Sequence, residues 1–253
     1  MKGRLPDFII AGAPRSGTTW LYRLLDRHPE IYLAKPVKPE PKFFLVDEMY
    51  ARGIEYYAAN WFSDLGSAKI AGEKTTNYLE SPAAAARIRK HLPDVKLIFI
   101  LREPAARAYS NYLWSKMNGR EQEDFPTALA WEERREKSLP QALRFVRPHA
   151  YYSRGLYADL LGRYFDLFSR EQILCLRYED IASRPQELAA RLHRFLGVVE
   201  RPGDAEGVGI VNASEKGEAA MPAEVRRELL NRYAEPNRRL AALLGPEFEV
   251  WPS

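Results

Sequence analysis

Cysteine is almost missing from this chain: Cys175 is the only one in 253 residues. An intrachain disulfide is therefore excluded, and the setting Ile173-Leu174-Cys175-Leu176 reads as a buried strand position rather than a reactive thiol. Histidine is nearly as scarce. The four histidines, His28, His91, His149 and His193, stand at no spacing that suits a metal, so structural or surface roles are expected for each and no metal site is expected. Long apolar runs are lacking too. No stretch approaches the roughly 18 residues of a membrane span, and the first residues lack the apolar core of a signal peptide. The expectation is a cytoplasmic protein without a membrane span. Finally, there is no large excess of one charge: 38 Lys and Arg against 34 Asp and Glu leave a formal +4. That excess is spread along the chain, which suits an anionic ligand and argues against a nucleic-acid partner.

What is present is enough apolar material for one substantial core, with 46% hydrophobic and 28% charged residues, and a single domain over 1–253 is expected. Strand-like runs recur at Phe8 to Ala11, Lys69 to Gly72, Val95 to Leu101 and Gln172 to Leu176, with helical patterns between them. The run Val95 to Leu101 is nearly continuous in apolar residues, as a central parallel strand covered on both faces requires. Helices are expected from Ala83 to His91, capped by Ser81-Pro82, and along the stripe Tyr157, Leu160, Leu161, Tyr164, Phe165 and Phe168. Two more are expected from Gln186 to Phe195, stopping at Gly197, and from Ala223 to Leu244. The stretch 201–220 has little periodicity and reads as a surface loop or lid. Together these give an α/β fold with a central, mainly parallel sheet and helices on both faces.

The most informative segment follows the first strand. Gly12-Ala13-Pro14-Arg15-Ser16-Gly17-Thr18-Thr19-Trp20 is a glycine-bearing turn leading into a helix with Leu21, Leu24 and Leu25 on one face. Such a turn aims backbone amides at an anion on the helix N-terminus. The two glycines have the spacing of an ATP-binding phosphate loop, but Thr18 stands where that loop needs lysine, and the loop's cation is Arg15. A second anion site is expected where Leu101-Arg102-Glu103-Pro104 closes the central strand, with Arg102 and Ser110 as its ligands; the plainer alternative pairs Arg102 with Glu103 or Asp180. Arginine occupies the place where phosphoryl-transfer ATPases commonly carry a magnesium-binding aspartate. Gly72-Glu73-Lys74-Thr75 offers instead a base beside a cation. Lys38 and Lys42, in the proline-broken segment 35–42, would add positive charge. The aromatic residues Tyr56, Tyr57, Trp61, Trp114, Trp131 and Phe145 fall in 43–61 and 112–152, the stretches expected to line an acceptor cleft.

Taken together, Gly12 to Trp20 and Leu101 to Ser110 resemble the two signature segments of the PAPS-dependent sulfotransferases, nearest to the heparan and carbohydrate branch and its bacterial relatives. Pro41-Lys42-Phe43-Phe44, Gly72 to Thr75, the helix from Tyr157 and Glu215-Lys216-Gly217 extend the resemblance over nearly the whole chain. It implies the three-layer, P-loop-containing nucleotide hydrolase-like fold of those enzymes. It implies PAPS as sulfuryl donor, PAP as product and no required metal. Arg15 would hold the sulfonate and the bridging oxygen, with Lys74 beside it, and Glu73 would be the general base. Ser16, Gly17, Thr18 and Thr19 would hold the 5′-phosphate, Trp20 the adenine, Arg102 and Ser110 the 3′-phosphate, and Lys216 and Gly217 would close over it. The acceptor would be a hydroxyl, less often an amine, of a glycan or small molecule. Two departures stand out: Lys42 replaces a histidine common before the Phe-Phe pair, and the disulfide of luminal members is impossible here. The runner-up functions are a nucleotide or small-molecule kinase of the P-loop class and a non-catalytic nucleotide-binding protein.

Overall fold

The apolar runs become the strands of one sheet because they bury both faces. In β1 (Phe8–Gly12) and β4 (Lys96–Leu101) the side chains from Phe8 to Ala11 and from Leu97 to Leu101 are all fully buried. The computed structural model describes residues 3–209 and 220–251. These group into two compact units, 3–101 with 163–209 and 102–162 with 220–251.

The first unit holds all five strands found among the described residues: β1, β2 (Ile31–Leu33), β3 (Ile70–Lys74), β4 and β5 (Ile173–Arg177). Their order is β2-β3-β1-β4-β5 and every pairing is parallel. The expectation of a mainly parallel α/β fold is borne out. From β1 in the middle, the chain builds β2 and β3 on one side and then β4 and β5 on the other. The sheet therefore changes winding direction at β1, the position at which open α/β sheets bind ligands beyond the C-terminal strand ends. Strand β2 was not among the expected strands. With three residues followed at once by a proline-broken stretch, it is too short to show an alternation.

Helices flank the sheet where the apolar spacing asks for them. The first, α1 (Thr18–Leu25), buries Trp20, Leu21, Leu24 and Leu25. After the short α2 (Asp47–Tyr50) and α3 (Ile54–Trp61) comes α4 (Pro82–His91), whose cap is the expected one: Ser81 accepts from the Ala84 amide. That unit also carries α8 (Asp180–Ser183) and α9 (Pro185–Leu196), which ends at Gly197 in the left-handed conformation, φ 78°. Two of the four histidines brace this edge from inside. His28 Nε2 lies 2.9 Å from the Val199 carbonyl, and His193 Nδ1 accepts from the Arg201 amide.

The second unit is helical, with α5 (Pro104–Met117), α6 (Phe125–Lys137), most of α7 (Tyr157–Phe165) and α10 (Ala223–Leu244). Its core is aromatic: Tyr112, Phe125, Tyr151 and Tyr233 pack with Leu113 and Leu229. Helix α7 stops short of Phe168, which is held by a bond from its amide to the Tyr164 carbonyl, 2.8 Å. Of the 201–220 stretch, 201–209 carries a short 3-10 turn at Pro202–Ala205 and 210–219 lies outside the described residues.

Ile98→Ala, in the fully buried centre of β4, should cost about 2 to 5 kcal/mol by cavity formation. Val199→Ala, at a side chain 61% exposed, should stay within about 0.5 kcal/mol. Urea unfolding of the two variants checks both.

Candidate active site

The phosphate-loop candidate lies in the first unit, between β1 and α1, at the winding switch. Gly17 starts the helix with φ 89°, and a Cβ there would come within 2.6 Å of Ile181 Cδ1 and 2.9 Å of Tyr178 Cδ2. Only glycine fits. Having no side chain, Gly17 also supplies no cap for the first helical amides, and uncapped amides at a helix start are what an anion satisfies. Arg15 is likewise left-handed, φ 67°, a costly conformation for a residue with a side chain and one found most often at functional turns. Ser16 and Thr18 are buried, while Arg15, Gly17 and Thr19 are half-buried. Trp20, expected beside the adenine, is buried. The residue is 3% exposed, packs in the core of the first unit and donates from Nε1 to the Val208 carbonyl at 3.0 Å.

Beside this loop runs the end of β3, since Ile10 pairs with Lys74 and the Thr75 amide donates to the Ile10 carbonyl at 3.1 Å. Glu73 is there, but it does not stand open to an acceptor. It is fully buried, and three hydroxyls donate to it: Tyr57 to Oε1 at 2.7 Å, Tyr78 to Oε1 at 3.0 Å and Thr75 to Oε2 at 2.7 Å. Burial pushes its pKa up to about 7, against the three hydrogen bonds, which pull it down. Since the folded value lies above the ordinary 4.5, the neutral form is the one that folding favours. Its stabilising contribution is complete below the ordinary value and is lost as pH rises through about 7. Burial also raises the Tyr57 and Tyr78 phenols well above their usual range, so both stay protonated and donate.

Lys74 is 2% exposed at its side chain and is paired with Glu40, whose own side chain is 13% exposed. Glu40 also accepts from the Thr76 amide at 3.2 Å and from its hydroxyl at 3.4 Å. Sequence reasoning passed over Glu40, reading the segment around it for its lysines. The available signal was its position between Pro39 and Pro41, which restrict the backbone on both sides of one carboxylate. Lys38 is exposed; Lys42 is half-buried, with φ 54°. Tyr57, placed by sequence along an open cleft, is a buried partner of Glu73 instead, whereas Trp61 is half-buried and Tyr56 stacks against Arg52.

In the second unit Arg102 follows directly on β4. The Tyr157 hydroxyl fixes its backbone, donating to the Arg102 carbonyl at 2.9 Å and accepting from its amide at 3.4 Å. Glu103 caps α5 by accepting from the Ala105 and Ala106 amides, both 2.9 Å, and from Arg226 at 3.1 Å. Ser110, on α5, is 1% exposed. A cavity of about 690 Å³ in this unit is lined by Leu129, Glu132, Arg144, Arg147, Tyr152 and Arg232 among others. Trp131 is 38% exposed, and Trp114 and Phe145 are half-buried. Lys216 and Gly217, expected at the closing loop, lie outside the described residues. Among the described residues no group of three His, Cys, Asp or Glu is placed to hold a metal, and no helix is long and apolar enough to cross a membrane.

Comparison with known proteins finds sulfotransferases. The chain is 26% identical to the membrane-associated sulfotransferase kil1 of Dictyostelium discoideum, over 97% of this chain and 66% of that protein. It is 30% identical to the human bifunctional heparan sulfate N-deacetylase/N-sulfotransferase 3, over 78% of this chain and 23% of that one. The chain thus spans two thirds or less of these relatives. Among solved structures, a sulfotransferase from Alicyclobacillus acidocaldarius superposes with a TM-score of 0.79 at 30% identity, covering 95% of this chain and 96% of that one. Mouse sulfotransferase SULT7A1, solved with PAP, shares the fold with a TM-score of 0.56 at 16% identity. The sulfotransferase domain model itself matches residues 5–207, and the chain belongs to the sulfotransferase family.

Proposed function

We propose that this protein transfers the sulfuryl group of PAPS to a hydroxyl, or less often an amine, of a carbohydrate or small-molecule acceptor and releases PAP. The observation that carries the reading is the uncapped helix start at Gly17 beside the Glu40–Lys74 pair, in a chain of this family. The heparan sulfate relatives support a carbohydrate acceptor, and the PAP-bound mouse enzyme supports the donor. In this reading the amides from Gly17 to Thr19 hold the 5′-phosphate, with Ser16 shaping the loop, and Arg102 and Ser110 hold the 3′-phosphate. Lys216 and Gly217 keep their proposed part in closing over it. Trp20 serves by anchoring α1 to Val208 rather than by touching adenine.

PAPS brings a sulfuryl group already bonded to a phosphate leaving group. Arg15 and Lys74 meet the charge that gathers on the bridging oxygen as the sulfur–oxygen bond breaks and its electron pair departs with PAP. The acceptor proton needs a carboxylate that an acceptor can reach. Sequence alone gives that task to Glu73, but Glu73 is sealed beneath three hydroxyls, and we assign it to Glu40, the partly exposed carboxylate already on Lys74. Fixed cations take the electrostatic part that magnesium takes in kinases, so no metal is called for.

Arg102→Ala should weaken PAP binding by about 2 to 5 kcal/mol through loss of a charge-assisted contact. Affinity for adenosine 5′-phosphosulfate, which has no 3′-phosphate, should hardly change, and calorimetry with the two ligands separates the outcomes. Glu40→Gln should lower kcat by about 10² to 10⁴, the usual size of a lost general base, with PAP affinity near wild type. A mass-spectrometric turnover assay at saturating PAPS checks this, and near-normal kcat would return the proton to another group.

A further inference from the structure

The segment that carries Glu40 has no regular secondary structure between β2 and α2, yet a proton acceptor must be held to within a fraction of an ångström to be useful. What holds it is a set of hydrogen bonds that run inward to one carboxylate. The Lys42 amide donates to Thr75 Oγ1 at 3.2 Å, and Thr75 Oγ1 donates to Glu73 Oε2 at 2.7 Å. The Phe44 amide donates to the Tyr78 hydroxyl at 3.2 Å, and Tyr78 donates to Glu73 Oε1 at 3.0 Å. Each hydroxyl has one proton to give. Because Glu73 receives it, the lone pairs of Thr75 and Tyr78 face the two amides.

From this geometry we infer that Glu73 is a positioning residue: as a buried anion it orients Thr75 and Tyr78 so that they clamp the 42–44 segment and hold Glu40 on Lys74. The inference rests on the reading of Glu40 as the proton acceptor. Phe43 and Phe44 complete the clamp from the apolar side. Both are fully buried, Phe43 stacks on Tyr57 with ring centres 4.6 Å apart, and Phe44 meets Tyr78 edge-on at 5.9 Å. Tyr57, the third donor, adds a bond to Oε1 from α3. A glutamine at 73 is the same shape but has an NH2 in place of one oxygen. That NH2 donates, so the hydroxyl facing it must turn its proton away from residue 73 and into competition with the backbone amide it had accepted from.

Protonation of Glu73 has the same consequence, which gives the clamp a pH dependence. The groups facing Glu73 are Tyr57 from α3, Tyr78 from the 3-10 turn after β3, Thr75 from the strand end, and, at longer range, Glu40, whose negative charge opposes ionisation. The phenols do not ionise in the neutral range. His91, whose ring centre lies 6.4 Å from that of Phe44 and whose pKa burial lowers, is the other titratable group beside the clamp, and the E73Q variant, which keeps His91, tells its titration from that of Glu73.

The test is amide hydrogen exchange at Lys42 and Phe44, with kcat and acceptor KM, in wild type, E73Q, Y78F and the double variant. Y78F leaves the carboxylate intact and removes one arm of the clamp, so it reports even if E73Q folds poorly. Both single variants should speed exchange in the 42–44 segment by about tenfold per lost hydrogen bond and lower kcat with PAP affinity unchanged. The double variant should be no worse in kcat than E73Q alone, since both act through one clamp. In wild type, protection of the two amides should fall as pH drops through neutrality, and in E73Q it should not respond. Unchanged exchange in E73Q, or kcat losses that multiply in the double variant, overturns the inference. A wild-type protein that shows the clamp in exchange but transfers no sulfuryl group overturns the functional reading and the positioning role with it; the exchange and turnover arms tell the two failures apart.

Discussion

Gly17 begins α1 with a left-handed backbone and no side chain to satisfy the amides of the first turn, and the rest of the structure is arranged around that constraint. The position tolerates nothing larger, because Tyr178 and Ile181 press on it from the far side of β4 in sheet order. The sheet reverses its winding at β1, so the uncapped turn opens at the rim where β1 and β3 end together. Partial positive charge from the helix start then lies beside the strand end at which Lys74 and its partner Glu40 sit, which is where the proposed reading puts the phosphate.

Two carboxylates meet near the end of β3, Glu73 on the strand itself and Glu40 through its pairing with Lys74, and the proposed mechanism divides the work between them. Glu73 is fully buried beneath three hydroxyl donors, and burial pushes its pKa up to about 7. Glu40 arrives on an irregular segment, keeps some exposure and is tied to Lys74. In the proposed reading the buried carboxylate fixes the geometry and the more open one meets the acceptor, as a reactive group held by a supporting shell of hydrogen bonds requires.

The fold was legible wherever residues declared both spacing and boundary. The run Val95 to Leu101 announced a central strand, Ser81-Pro82 and Gly197 marked helix ends, and Ala223 to Leu244 carried its period across Pro236. Strand β2 was too short to alternate, and α7 ended before Phe168 because an aromatic stripe continues into a turn as easily as into a helix. At the site, Gly12 to Thr19 and Glu73-Lys74 were visible because glycines, charge and a strand end coincide. The environment of Glu73 was not. Thr75 was within reach of reasoning, since residues two apart in a strand share a face, but Tyr57 and Tyr78 come from separate elements, and only the fold sets them on one carboxylate. Trp20 illustrates the converse: its place after a glycine-bearing loop suggests a ligand contact, and its burial in the core was not visible in the sequence.

The donor assignment turns on which nucleotide the loop between β1 and α1 holds. Calorimetry of the wild-type protein with PAP and with ATP, each with and without magnesium, addresses that directly. A loop whose cation is Arg15, followed by Thr18 rather than lysine, with an arginine after the central strand, should bind PAP in preference to ATP and with an affinity indifferent to magnesium. Tighter binding of ATP that requires magnesium would contradict it and make the chain a phosphoryl-transfer protein on a sulfotransferase fold.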